Sequence, residues 1–163
     1  MLTHRLNIFF LSVTTFFLLV QNINAQKQNN QWRFSGSGGI DFNTTPPSAV
    51  TGVANMQTGE GVASVAERNT GALLFYTNGV TVWNAQNQVM PNGTGLLGGS
   101  ATLLSSTTAA VIIPKPGSTT LYYLVTIDEQ SSSNGVCYSI IDMTLNNGLG
   151  DVVATQRFGR AHV

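Results

Sequence analysis

Between Trp32 and Ala154 the chain is cut into short apolar runs by closely spaced turn signals. β-Branched and aromatic residues alternate with polar ones inside each run, and clusters of Gly, Asn, Pro and Ser close it. That is the period of half-buried strands, and the runs are too short for an amphipathic helix. The pattern predicts an all-β fold of antiparallel strands. Trp32-Arg33-Phe34 and Ile40-Asp41-Phe42 flank Gly36-Ser37-Gly38-Gly39, and Thr44–Ala54, with Pro46-Pro47, reads as a surface loop. Strands are expected over 61–66, 72–77 and 80–83, then 109–113, 121–127, 136–143 and 151–154. Asn78-Gly79 reads as a two-residue hairpin turn, because both residues tolerate the positive φ of a type I′ turn.

Only 9% of the residues are charged, against about 25% in an ordinary soluble domain. The polar faces are built instead from 13 Ser, 19 Thr, 15 Asn and 9 Gln. A net charge of zero speaks against nucleic acid or an anionic membrane surface as partner. A hydrophobic share of 42% excludes wholesale disorder.

Residues 1–25 read as a secretory signal peptide: His4 and Arg5, an apolar stretch from Leu6 to Val20, then a polar segment ending at Ala25. The apolar stretch is shorter than the roughly 20 residues of a spanning helix. The expectation is an exported protein, secreted or held at the cell surface, with no integral span once the signal is removed. Residues 26–31 form a polar lead-in expected to fray, 32–155 the folded module, and 156–163 an irregular tail. Cys137 is the only cysteine. No intramolecular disulfide can form, and its apolar neighbours mark it as a small core residue.

The order of the runs suggests a repeat. A small-residue strand begins near Gly61 and again near Ala109, an aromatic-rich strand near Ala72 and again near Leu121, so the offsets are 48 and 49 residues. One antiparallel sheet per unit of that length is the spacing of β-propeller blades. A single β-sandwich has strands at similar intervals, and spacing leaves both open. At that period the chain holds two to three blades, fewer than the four to eight of a closed propeller, so it reads as an incomplete module.

Three stretches resemble a known family: Gly71–Asn84 continuing through Val89–Gly98; Ile113-Pro114-Lys115-Pro116-Gly117 with Leu121-Tyr122-Tyr123; and Tyr138–Met143 before Asn147–Val153. Together with Trp32-Arg33-Phe34 and Gly39–Asn43, they are similar to the N-terminal propeller-like region of large secreted surface proteins of gliding bacteria. Those proteins commonly end in a gliding-motility-associated C-terminal sorting domain used by type IX secretion. The resemblance implies a partial β-propeller in a surface or adhesion-linked setting, and it brings no catalytic residues. The tail from Gln156 departs from it, and no sorting domain follows in this sequence.

No set of side chains assembles a reaction centre in the sequence. After cleavage His162 is the only histidine, one residue from the last position, which suits neither a nucleophile–base pair nor a zinc site. The acids are Asp41, Glu60, Glu67, Asp128, Glu129, Asp142 and Asp151. Only Asp128-Glu129 are adjacent, and neighbours on a strand point to opposite faces. Gly36–Gly39 and Gly93–Gly99 lack the following lysine and helix of a phosphate loop and read as turns. Trp32, Tyr76, Trp83, Tyr122, Tyr123 and Tyr138 are expected in the core, or stacked on sugar rings where exposed. The reading is therefore a non-enzymatic binding or scaffold module with no catalytic, cofactor or metal residues, and a surface glycan or protein as the partner class. The rival readings are part of a polysaccharide hydrolase using carboxylates such as Glu60 and Asp128, and a non-functional truncated fragment.

Overall fold

The structure is a computed structural model that describes residues 26–52, 54, 56–59, 61–97, 108–128 and 134–157, with backbone alone at 155–157. The signal expected at 1–25, Glu60, Glu129, His162 and the last six residues of the tail lie outside the described residues.

The described chain is all-β and antiparallel, in three small sheets of consecutive strands. The first holds β1 (Gln31–Phe34), β2 (Gly38–Asp41) and β3 (Ser48–Val50); the second holds β4 (Ala63–Ala66), β5 (Leu73–Thr77) and β6 (Val82–Asn84). The third holds β7 (Ala110–Pro114), β8 (Leu121–Ile127), β9 (Val136–Asp142) and β10 (Asp151–Arg157). Two short 3-10 turns, Ser35–Ser37 and Asn146–Gly148, are the only helical elements among the described residues.

The sheets stack in chain order, with the second in the middle. β5 explains why. Successive side chains on a strand point to opposite faces, so Phe75 and Tyr76 leave β5 on opposite sides, and both are fully buried. Phe75 meets Tyr122 of β8 edge to face, ring centroids 5.5 Å apart. Around that contact Val65, Val82, Leu124 and Ile141 fill the main core. On the other side Tyr76 stacks on Trp83 at 5.5 Å and packs with Met56 beside Val50 of β3. Between sheets, β4 is the strand that lies beside both β1 and β7, so the three first strands run side by side.

Several local expectations are corrected. Asn78-Gly79 is not a type I′ turn: β5 ends at Thr77 and β6 starts at Val82, and only Gly79 of the connecting residues has positive φ, +88°. Asn78 uses its side chain instead, Oδ1 accepting from the N–H groups of Val80 (3.1 Å) and Thr81 (2.9 Å). This Asx turn widens the loop. The stretch expected as a loop at 44–54 contains β3, which pairs with β2 from Asp41–Ser48 to Gly39–Val50. The lead-in does not fray: Lys27 N–H donates to Arg68 O (2.9 Å), Ala66 N–H donates to Gln28 O (2.8 Å), and Gln31 is buried in β1. β10 runs through Gln156 and Arg157, the first two residues of the expected tail. Cys137 is fully buried, its Sγ 3.6 Å from Asn134 O.

Candidate functional site

Among the described residues, the side-by-side first strands frame a concave feature with the shape of a site. A cleft of about 410 Å³ lies along β4, walled by β1 and the segment before it on one side and by β7 on the other. Its floor carries the small side chains Ala63, Ser64 and Val65, which is why space remains there. Ser64 Oγ donates to Gln31 O at 2.6 Å and ties the floor to the wall.

Trp32 is the large residue of the wall. Its indole Nε1 donates to Asn29 O at 3.0 Å, yet 47% of the residue stays exposed. Strand pairing explains the exposure. Trp32 lies opposite Ile40, and this face of the first sheet turns away from the middle sheet, while Val50, opposite Gly39, turns toward it. Trp32 contacts Phe42 at 5.0 Å and Phe34 at 6.3 Å, so an aromatic cluster stands in solvent beside the cleft. Of the aromatic positions named from sequence, Tyr76 and Tyr122 fill the cores. Trp83 is half-buried on Tyr76, and Tyr123 and Tyr138, also half-buried, pair edge to face at 6.0 Å. Trp32 is the exception, and it is joined by Phe34 and Phe42, which the sequence marks only as members of short alternating segments.

Arg33, between Trp32 and Phe34, is 7% exposed. Its Nη1 donates to Trp32 O at 2.9 Å, and its Nε is buried with no hydrogen-bond partner. Burial pushes this guanidinium below its ordinary range, opposed by Tyr76 and by the negative charge of Asp41. Gly39 opposite leaves room for it: a Cβ there would lie 3.1 Å from Nη1 and 3.2 Å from Cδ. The alternating sequence held no signal for a buried cation, because Arg usually marks the solvent face.

Asp41, Glu67, Asp128 and Asp142 each accept within their own loop or turn, and Asp151 accepts across from Asn92. Asp41 accepts from Asn43 N–H at 2.7 Å and Glu67 from Thr70 N–H at 2.7 Å, and those backbone bonds lower both acids below the usual carboxylate range. Asp142 accepts from the Thr144 hydroxyl at 2.7 Å and its N–H at 2.9 Å, with the same effect. Asp151 takes Asn92 Nδ2 at 2.9 Å, and Asp128 takes Asn134 N–H at 3.3 Å. Asp128 does not line the cleft, and its suggested partner Glu60 lies outside the described residues. Among the described residues no three His, Cys, Asp or Glu side chains come together as metal ligands, and no helix is long and apolar enough to cross a membrane. Scanned against family models, curated proteins and solved structures, the chain matches none of them.

Proposed function

We propose that the chain is an exported, non-enzymatic binding and scaffold module of a cell surface, with its three sheets arranged as part of a propeller. Support for the arrangement comes from the first strands, which run side by side as the innermost strands of neighbouring blades do, and from the return of matching strands at Ala63 and Ala110 and at Leu73 and Leu121. The observation that carries the binding role is the half-exposed Trp32 ring beside a cleft whose volume falls in the range of small-molecule sites. Gln28 and Asn29 add uncharged hydrogen-bonding groups to the same wall. An aromatic plane flanked by neutral amides suits an uncharged saccharide: the ring covers the C–H face of the sugar and the amides meet its hydroxyls.

Affinity electrophoresis of the full chain through gels containing neutral polysaccharides tests this. At least one polysaccharide is expected to retard the protein, and Trp32→Ala is expected to abolish that retardation while leaving the melting temperature unchanged. Equal retardation of the variant would refute the assignment of the cleft. Release of reducing ends during the run would instead favour a carboxylate-dependent hydrolase.

A further inference from the structure

The two walls of the cleft differ in kind. On the β1 side stand Trp32 and the amides of Gln28 and Asn29. Every side chain that β7 brings to the opposite wall, from Ala110, Val111, Ile112 and Pro114, is apolar. The floor carries Ser64 between Ala63 and Val65, and the Ser64 hydroxyl already donates its hydrogen to Gln31 O. A hydroxyl in that state has only lone pairs left, so half-buried Ser64 meets a ligand as an acceptor. Among the described residues β1, β4 and β7 are also edge strands of their sheets, and a strand edge presents unpaired backbone N–H and C=O groups. Arg33 lines the cleft as well, but it is only 7% exposed and its Nη1 is held by Trp32 O. A charged group on a ligand meets little of it.

These features discriminate among sugars. A plain hexose carries a hydroxyl at nearly every ring position. A hydroxyl turned to the β7 side chains loses water and finds no side-chain partner, which costs affinity. An acetamido group in its place is complementary to the cleft at three points. Its N–H suits the acceptor at Ser64, its C=O suits a backbone N–H at a strand edge, and its methyl suits the apolar wall. It also carries no charge, in keeping with the neutral amides opposite. We propose that the cleft takes an N-acetylated amino sugar, with the ring on Trp32, the acetamido N–H on Ser64 Oγ and the acetyl methyl between Val65 and the β7 wall at Ala110 and Val111. The inference rests on the saccharide reading above and narrows it to one class of sugar.

Isothermal titration calorimetry of the full chain with tri-N-acetylchitotriose, cellotriose and trigalacturonate is the test. The first two trimers share one backbone and differ only in acetamido against hydroxyl, and the third carries carboxylates. Tri-N-acetylchitotriose is expected to bind at least about ten-fold more tightly than cellotriose, the discrimination that a small apolar group in a fitted pocket gives. Ser64→Ala, which removes the acceptor, and Val111→Thr, which puts a hydroxyl on the apolar wall, are each expected to shrink that preference. Ser64→Ala also cuts the tie to Gln31, so a thermal melt accompanies each variant. Val111 is 40% exposed, and its replacement by a residue of nearly the same shape keeps the test open if Ser64→Ala unfolds. Equal affinity for the two neutral trimers, with both lost in Trp32→Ala, overturns the acetamido assignment and leaves the saccharide cleft standing. An undiminished preference in Val111→Thr overturns the placement of the methyl. Tighter binding of trigalacturonate overturns the proposal in favour of Arg33 as the reader of a carboxylate. Binding of none of the three overturns it too, and the saccharide reading falls with it only if the polysaccharide gels also fail to retard the chain.

Discussion

Gly79 sits where the loop after β5 runs against the residue before β7, so an alanine there probes how the middle and last sheets meet. Its φ is +88°, and an added Cβ would lie 2.9 Å from Ala109 O and 3.1 Å from Ala109 Cβ. Two costs follow. A non-glycine residue at positive φ loses about 1–2 kcal/mol, partly offset by about 0.4–1 kcal/mol from the stiffer unfolded chain. The second cost is overpacking against a backbone oxygen that cannot swing away, about 1–3 kcal/mol. Gly117 supplies the control: its φ is +77°, and a Cβ there meets nothing within 4 Å. Gly117→Ala therefore pays only the first cost. The difference between the two variants isolates the Ala109 contact, about 2 kcal/mol, or a gap of roughly 4–8 °C in melting temperature for a chain of this size. Differential scanning calorimetry of both variants in one buffer reads it. If the two melting temperatures fall together, the loop does not abut β7 and the stacking of the second and third sheets is wrong.

Two further predictions concern groups held by hydrogen bonds. Tyr76→Phe removes the hydroxyl that accepts from Ala54 N–H (3.2 Å) and donates to Asn87 Oδ1 (3.1 Å). It should cost about 1–3 kcal/mol in urea denaturation, and no loss would mean that the phenol does not bridge these segments. Stability should also fall in acid. Asp41, Glu67 and Asp142 have depressed folded values, so their contribution is present above the unfolded carboxylate value of roughly 4. It is lost as pH falls through the folded values. Melts taken between about pH 6 and pH 2.5 should show a decline below about pH 4, and a flat profile would contradict the turn bonds.

The long strands were legible because alternation persisted. Leu121–Ile127 is the strand expected, and Val136–Asp142 differs from its expected span by one residue. The first sheet was hidden. Ser48-Ala49-Val50 is only three residues long and follows Pro46-Pro47 directly, so turn chemistry outweighed strand chemistry at that spot. β1 begins 32 residues before β4, whereas β4 begins 47 residues before β7, so no common period announced the first sheet as a unit. The cleft was hidden for a different reason. Trp32-Arg33-Phe34 alternates, but alternation does not say which face is buried. The stacking of the middle sheet decides that, and it buries the cation and leaves the aromatics out.

The position of β5 sets how this molecule comes apart. Phe75 belongs to one sheet interface and Tyr76, the next residue, to the other. Opening of the first sheet alone leaves Phe75 covered, and opening of the last alone leaves Tyr76 covered. Stacked units of this kind lose structure from their ends. The backbone amides of β5 are then the last to exchange with solvent, and their protection measures the cooperativity of the whole stack.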